Sequence, residues 1–350
     1  HLYTWVMVFA MLQILTKQNI KTMSHLLEIK NLDVKFDTDE GRITAIDNVS
    51  LKLDQGKVLG IVGESGSGKS VTAKSIMQLN PGNTIYNDDA EIIIDNENVL
   101  KFTSKNDLKK IRGGKVSMIF QEPMASFAPA IKIGNQMVEQ LLLHKDIDKN
   151  QAKQISVDML NRVGIADAEK RFNQYAFELS GGMRQRAMIA MALSTMPKLL
   201  LADEPTTALD VTIQAQVINL MKDIIKEYNM GVIFITHDLG VIAQVADDVA
   251  VMYLGSVVEQ GPVNEILKNP LHPYTKGLLN ALPDINNLDA PLQPIPGSIP
   301  SPLDRPSGCV FRTRCPHASQ DGKEANIEMG LVEVKPGHWV DRCGVDCRKV

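Results

Sequence analysis

The chain has 350 residues, of which 44% are hydrophobic and 22% are charged, so it is long enough to bury one large core or two modest ones. Its net charge of −4 and its isoelectric point near 6.0 disfavour a nucleic-acid-binding protein, because such domains are usually strongly basic. No apolar run approaches the roughly 18 residues of a membrane-spanning helix. The nearest run, from Tyr3 to Leu15, contains Thr4 and Gln13.

The first 22 residues differ in character from the rest of the chain. The chain opens on His1, whereas Met23 begins the segment MSHLLEIKNL, which is typical of a natural start. We therefore expect residues 1–22 to be an upstream segment outside the fold. A short native amphipathic helix is the alternative.

Strand and helix patterns then succeed each other in chain order. Residues 27–62 alternate in polarity, with turn signals at 37–41 and 54–56, and end in the buried strand VLGIVG. The pattern is helical at about 71–80 and again from about 130 to 196. Two continuous apolar runs, KLLLAD at 198–203 and GVIFIT at 231–236, flank a helical stretch around 212–227. This alternation predicts an α/β fold with a parallel sheet covered on both faces.

The composition changes from residue 283 onward. Proline and glycine crowd the segment PLQPIPGSIPSPLDRPSGC, which predicts a linker. All four cysteines lie in the last 42 residues of the chain. Because they are clustered rather than spread over a domain, we expect a cytosolic protein without a disulfide framework.

The segment GESGSGKS matches the phosphate-loop pattern G-x-x-x-x-G-K-[ST] and lies between a predicted strand and a predicted helix. Its glycines let backbone N–H groups point at phosphates, and the helix N-terminus adds a favourable dipole. The lysine can reach the β- and γ-phosphates, and the last serine offers an oxygen to Mg²⁺. A nucleoside triphosphate is therefore expected to contact Gly63, Glu64, Ser65, Gly66, Ser67, Gly68, Lys69 and Ser70.

Four polar residues stand at the ends of predicted strands. Asp203 and Glu204 come directly after the run LLLA, where the first can hold Mg²⁺ and the second can polarise an attacking water. His237 closes the next apolar strand, where ligands bind in open α/β sheets. Gln121 ends a third strand, and its amide can sense both metal and water. Taken singly, the acids could line a solvated edge and the histidine could be structural.

These motifs together resemble those of the ATP-binding cassette (ABC) family. GESGSGKS, Gln121, LSGGMRQR, LLLADEP, the turn 208–210 and His237 occur in the family's order and spacing. The resemblance covers about Leu26 to the end. It implies a P-loop NTPase fold with a mixed sheet core, an antiparallel β subdomain and a helical subdomain, together with a small C-terminal extension. The expected boundaries are 24–265 for the nucleotide-binding domain and 266–350 for the extension.

The resemblance also implies that ATP is sandwiched between two cassettes. In this family the LSGG segment caps the γ-phosphate bound by a second subunit, and we call Ser180, Gly181 and Gly182 the serine-glycine cap. A helix N-terminus is a sound anion site, but this one has no lysine and no acid for Mg²⁺, so it cannot work alone. Asp210 is expected to link the two sites. Phe36 is expected to stack on adenine or, alternatively, to be a core aromatic.

The C-terminal segments HPYTKGLLNALP, IPGSIPSP and CVFRTRCPHA are similar to those of the ATP-binding subunits of bacterial oligopeptide and dipeptide importers. This resemblance implies an ATPase on the cytoplasmic face of the membrane. Its partners would be a second ATPase subunit, identical or related, two integral membrane permeases and, indirectly, an extracytoplasmic peptide-binding protein. A nickel importer and a soluble cassette ATPase acting on nucleic acid are the alternatives.

The same resemblance assigns two further features. The segment EPMASFAP would receive the membrane subunits, with Met124 and Phe127 as partly exposed apolar contacts. The cysteines are similar to ligands of a [4Fe–4S] cluster, although the family's third cysteine is replaced by Gly322. The expected set is Cys309, Cys315, Cys343 and Cys347. A zinc site using His317 or His338, and thiols without a metal, are the alternatives.

Overall fold

The computed structural model describes residues 25–207, 209–282, 293–318, 326 and 328–342. The expected upstream segment 1–22, together with Ala208, Gly322, Cys343 and Cys347, lies outside these residues. The described strands are β1 (Leu27–Thr38), β2 (Gly41–Leu53), β3 (Val58–Val62), β4 (Thr84–Tyr86), β5 (Glu91–Ile94), β6 (Glu97–Asn98), β7 (Val116–Ile119), β8 (Leu199–Asp203), β9 (Gly231–Ile235), β10 (Asp248–Tyr253), β11 (Ser256–Pro262), β12 (Leu331–Lys335) and β13 (His338–Asp341).

The helices fall mainly between β7 and β8 and after β8. They are α1 (Lys69–Ile76), α2 (Lys105–Ile111), α3 (Ile133–His144), α4 (Lys149–Arg162), α5 (Ala168–Phe172), α6 (Gly181–Ser194), α7 (Val211–Glu227), α8 (Leu239–Val245), α9 (Val263–Lys268) and α10 (Pro273–Asn280). Local sequence sets several of their starts. Asp148 and Gln151 form a capping box at α4, for example, and this satisfies otherwise unpaired backbone donors of its first turn.

Two sheets divide the strands. The smaller sheet is antiparallel, with the order β2-β1-β5-β6 and with β4 also paired to β1. The larger sheet has the order β12-β13-β11-β10-β3-β9-β8-β7. Its strands from β10 to β7 are parallel, and β11, β13 and β12 are added antiparallel. This mixed core, with an antiparallel sheet and a helical layer, is the architecture that the sequence predicts.

The parallel strands are the most deeply buried part of the chain. Every residue of β3, β8 and β9 is buried, as their unbroken apolar runs predict for strands covered on both faces. One face packs against the helical layer and the other against the antiparallel sheet. The predicted helical region of about 130–196 is built as α3 to α6.

The C-terminal extension is continuous with the core sheet. Strand β13 pairs with β11 through Glu259 opposite Val340 and Gln260 opposite Trp339. The buried carboxylate of Glu259 accepts hydrogen bonds from the backbone N–H groups of Leu271 and His272, at 2.8 and 2.9 Å, and from His338 Nε2, at 2.8 Å. One buried side chain thus fastens both the start of the extension and its last described strand.

Replacing Glu259 with alanine should destabilise the chain strongly. Removing the Glu259 side chain leaves three buried hydrogen-bond partners without their acceptor, and each unsatisfied buried polar group costs about 1–3 kcal/mol. Trp339 lies next to His338 in β13, so its fluorescence during chemical denaturation reports the change. Glu265→Gln is the matched control: Glu265 faces the other ring nitrogen of His338 from a more exposed position at 3.8 Å, and we expect a change within about 1 kcal/mol. Equal stability of the Glu259→Ala and wild-type chains would show that Glu259 does not fasten the extension.

Candidate nucleotide site

The carboxyl ends of four parallel strands bring the predicted site residues together. The phosphate loop comes after β3, Asp203 ends β8, Gln121 lies just beyond β7, and Thr236 and His237 lie just beyond β9. Backbone hydrogen bonds align the ends of neighbouring strands: Glu204 N–H donates to Ile235 O at 2.9 Å, and Thr236 N–H donates to Ile61 O at 3.3 Å. This is the edge at which open α/β sheets bind ligands.

The phosphate loop is packed directly onto strand β10. A Cβ at Gly63 would lie 2.1 Å from the backbone oxygen of Met252, and the φ of Gly63 is +152°, so a side chain is excluded there. The backbone oxygen of Ser67 accepts from Gly255 N–H at 3.0 Å. The loop therefore has a fixed shape before any ligand binds, which is the preorganisation that phosphate binding by backbone N–H groups requires.

Lys69 is buried inside its own loop. Its Nζ donates to the backbone oxygens of Gly63 and Glu64, both at 2.8 Å, and to Ser67 Oγ at 3.3 Å. Burial lowers the pKa of Lys69, while the nearby carboxylates of Glu204, Asp203 and Glu64 oppose that shift. An anion at the loop would favour the charged ammonium in the same way.

Asp203 and Ser70 form a fitting site for Mg²⁺. Burial raises the pKa of Asp203, and a hydrogen bond from Ser70 opposes the shift. The Oδ1 atom of Asp203 is buried without a hydrogen-bond partner among the described residues. A hard cation satisfies such an oxygen and favours the ionised form of the carboxylate, and carboxylate and hydroxyl oxygens are ligands of the kind that Mg²⁺ prefers.

Glu204 stands at the centre of a polar cluster. Its carboxylate accepts from Gln121 Nε2 at 3.2 Å and from Thr207 Oγ1 at 3.0 Å, and it lies 3.2 Å from His237 Nδ1. Its backbone φ is +48°, a conformation that is uncommon for a residue with a side chain and that turns the chain sharply after Asp203. The structure thus brings Gln121 and His237 to Glu204. Thr207 joins them, and it was not predicted because a threonine in a turn carries no distinctive pattern.

The serine-glycine cap lies at an exposed helix end. Ser180 is the N-cap of the 14-residue helix α6, and its Oγ accepts from Met183 N–H at 3.3 Å. A Cβ at Gly181 would meet nothing within 4 Å, and the nearest contact of one at Gly182 would be Leu209, at 3.5 Å. Space within this chain therefore does not require glycine at 181.

Two other predicted contacts have structural partners. Asp210 caps α7, with its Oδ1 accepting from Ile213 N–H at 3.0 Å. Phe36 is half-buried near the end of β1 and packs against the core of the antiparallel sheet. Phe36 thus has core contacts, and part of its side chain remains accessible. The roles that the sequence suggests for both residues stay predictions.

The prediction for Phe127 is wrong. Phe127 is only 4% exposed and belongs to the same core as Ile133 and Met188, because the short 3₁₀ turn before it directs its ring inward. Met124, in that turn, is 45% exposed, as the sequence predicts.

The cysteine prediction gains no support from the described residues. Cys309 is buried and Cys315 is half-buried. Within the described ranges, no three His, Cys, Asp or Glu side chains are grouped so as to hold a metal. His338, the residue of the zinc alternative, has its Nε2 2.8 Å from Glu259 Oε1. Cys343 and Cys347 are outside the described residues, so the cluster stays a prediction and no catalytic step is assigned to it.

Comparison with known proteins places this site in a family. The family model described as ABC transporter matches residues 46–207, and the one described as oligopeptide/dipeptide transporter, C-terminal region, matches residues 258–321. The chain is 50% identical to the oligopeptide transport ATP-binding protein AppD of Bacillus subtilis, over 85% of this chain and 90% of that protein. The chain belongs to the ABC transporter ATPase family.

Other relatives agree with this placement. The chain is 47% identical to the oligopeptide transport ATP-binding protein OppD of Bacillus subtilis, over 91% of this chain and 88% of that one. It is 46% identical to the dipeptide transport ATP-binding protein DppD of Lactococcus lactis subsp. cremoris, over 92% and 91%. Among solved structures, a dimeric ATP-binding cassette in a post-hydrolysis state with ADP and Pi matches with a TM-score of 0.62 at 26% identity, covering 68% of this chain and 98% of that one.

Replacing Glu204 with glutamine should abolish turnover while leaving ATP binding intact. An amide cannot accept a proton from water, and losing a general base typically costs about 10²- to 10⁴-fold in rate. Phosphate release and binding of a fluorescent ATP analogue measure the two properties separately. Glu227→Gln is the control, since Glu227 pairs with Arg162 on the exposed side of α7. Wild-type turnover in the Glu204→Gln chain would remove Glu204 from the reaction.

Proposed function

We propose that this chain binds and hydrolyses ATP as one of two paired cassettes that energise peptide import at the cytoplasmic face of a membrane. The observation that carries the proposal is the division of the phosphate-binding groups between two places. The phosphate loop contains Lys69 and Ser70 and has Asp203 beside it, whereas the serine-glycine cap is an exposed helix end without a lysine or a metal ligand. The relatives that match over most of the chain are oligopeptide and dipeptide transport proteins.

The reaction follows from the cluster around Glu204. Water attacks the γ-phosphorus, Glu204 accepts the proton, and the bond from the γ-phosphorus to the bridging oxygen breaks to release ADP and phosphate. Gln121 and His237 orient the Glu204 carboxylate and the water, and Lys69 neutralises charge on the β- and γ-phosphates. Ser70 and Asp203 would hold Mg²⁺, which would supply further charge neutralisation.

The second cassette completes the site. Helix α6 packs against α4 and β7, whereas α1 packs against β8 and β9. The two helices thus contact different strands of the larger sheet. The second turn of α6 also lies against the turn after Glu204, where Gln185 Nε2 donates to Pro205 O. A triphosphate on the loop of one subunit would accept hydrogen bonds from Ser180 and Gly181 of the other. ATP thereby joins the pair, and hydrolysis releases it.

An arginine at position 180 should prevent this pairing. In the Glu204→Gln chain, ATP should produce a stable pair with whichever cassette the chain joins, identical or related. Adding Ser180→Arg should weaken that pair by more than about tenfold, because a charge-assisted hydrogen bond contributes about 1.5–3 kcal/mol and the bulky side chain blocks close approach. Light scattering with and without ATP measures the pairing.

Ser104→Arg provides the matched control, because Ser104 also caps a helix with its side chain at an exposed position. It should leave ATP-dependent pairing intact. Pairing that is unaffected by Ser180→Arg would exclude the serine-glycine cap from the interface.

Membrane subunits would dock beside Gln121. Met124 presents an exposed thioether side chain only three residues from the glutamine that contacts Glu204, so movement of this segment would bear on the water-activating cluster. None of the described helices has both the length and the apolar composition of a bilayer span. Two integral membrane partners would form the pore, and an extracytoplasmic binding protein would deliver the peptide.

Met124→Glu should reduce recovery of integral membrane subunits with the affinity-tagged chain from detergent-solubilised membranes. A carboxylate in an apolar contact costs binding, so we expect at least about a tenfold loss. Leu303→Glu, at 41% exposure, is the control and should recover the full complex. Quantitative mass spectrometry of co-purifying subunits measures both. Recovery of wild-type chain with ribosomes or DNA, and without any integral membrane protein, would overturn the transporter function.

A further inference from the structure

The second residue of the phosphate loop is held by two side chains of the C-terminal extension. The backbone N–H of Glu64 donates to the hydroxyl of Tyr274 at 2.8 Å. The carboxylate of Glu64 accepts two hydrogen bonds from Arg314, at 2.8 Å from Nη1 and 3.3 Å from Nη2. Both partners lie within 258–321, which matches the transporter C-terminal region, and outside the matched ABC segment 46–207.

The side chain of Arg314 is held in place by contacts with residues outside the phosphate loop. Its side chain is only 4% exposed, its Nε donates to Pro296 O at 2.9 Å, and its guanidinium lies 5.8 Å from the centre of the Tyr253 ring. These contacts orient the guanidinium group of Arg314 toward Glu64. A two-point hydrogen bond between a guanidinium and a carboxylate is both strong and directional.

Tyr274 is equally constrained. It is fully buried, and its ring packs against those of Tyr253 and Phe311 at centroid distances of 4.7 and 5.4 Å. Burial raises the pKa of Tyr274, so its hydroxyl stays protonated and can also hydrogen-bond the Glu64 carboxylate. The extension thus contacts both the backbone and the side chain of one loop residue.

The charge of the Glu64 side chain bears on the binding of a nucleotide. Glu64 is the only acidic residue in the loop GESGSGKS, and an unpaired carboxylate there would repel a triphosphate. Its backbone oxygen is also one of the acceptors that hold Lys69 Nζ, at 2.8 Å. Neutralising the carboxylate and fixing the backbone therefore bear directly on the cation that meets the phosphates.

We propose that the C-terminal extension sets the affinity of the phosphate loop for ATP, with Arg314 and Tyr274 as positioning residues that act through Glu64. Arg314 cancels the charge of the carboxylate, and Tyr274 fixes its backbone. The proposal rests on ATP binding at this loop, which is part of the proposed function, and needs neither peptide cargo nor a membrane partner.

The test compares charge-changing variants by equilibrium binding of a fluorescent ATP analogue to the purified chain. Arg314→Gln should weaken ATP binding on the order of tenfold, the effect of one unpaired charge near the phosphates at an effective dielectric of about 20. Glu64→Gln alone should bind ATP as tightly as wild type or more tightly, because Arg314 is then left as an unpaired cation. The double variant Glu64→Gln with Arg314→Gln should return to near the wild-type affinity.

The rescue separates this role from a structural one. If Arg314 only held the segment around Pro296 in place, removing the Glu64 carboxylate would not restore binding. Arg312→Gln is the matched control, since Arg312 lies in the same turn and donates to Ser307 O. It should bind ATP as wild type does. Tyr274→Phe, which keeps the ring and loses the hydroxyl, should weaken ATP binding less than Arg314→Gln does.

Two results would contradict the positioning role. They are wild-type affinity in Arg314→Gln and a double variant as weak as Arg314→Gln alone. Should Arg314→Gln fail to fold, as judged by circular dichroism, a clear loss of affinity in Glu64→Gln overturns the proposal, and equal or tighter binding supports it. Failure of the wild-type chain itself to bind ATP would instead overturn the proposed function.

Discussion

The binding of phosphate oxygens by backbone N–H groups at helix N-termini is the interaction on which the rest of the site depends. This chain has two candidate helix ends of this kind, and the side chains around them differ. The loop before α1 has Lys69, Ser70 and Asp203 around it, and it is held against β10 so tightly that Gly63 cannot carry a side chain. The start of α6 has only Ser180 and two glycines, and it is open to an outside group. Under the proposed function, a triphosphate enclosed on both sides would use both ends; α1 packs against β8 and β9, whereas α6 packs against α4 and β7.

The C-terminal extension is part of this arrangement. Glu259 ties its first residues and strand β13 to the core sheet, and Arg314 and Tyr274 reach the loop itself. The turn that carries Arg314 begins at Cys309 and ends next to Cys315. The segment that matches the oligopeptide/dipeptide transporter C-terminal region thus lies against the phosphate loop, which belongs to the segment that matches the ABC transporter model.

Much of the site could be predicted from the sequence, because its signals are local. GESGSGKS is a complete phosphate-binding pattern, and the convergence of Gln121, Glu204 and His237 follows from parallel strands that end at one edge of a sheet. The Arg314–Glu64 pair could not be predicted, since its members are 250 residues apart and no pattern links them. Phe127 is a residue for which a local sequence motif gave the wrong prediction. Its motif indicates a contact surface, but its burial depends on how the preceding turn packs against Ile133 and Met188, which sequence alone does not reveal.

The claim that the catalytic site is shared between two subunits is tested most directly by complementation. Lys69→Ala disables the loop and leaves the serine-glycine cap intact, whereas Ser180→Arg does the reverse. Each variant alone should hydrolyse ATP only marginally in the presence of its partner subunits. Mixed pairs should recover a clear fraction of the wild-type rate, because one of their two sites combines an intact loop with an intact cap. A mixture no faster than the separate variants, with Ser180→Arg alone hydrolysing ATP at the wild-type rate, would contradict the shared site.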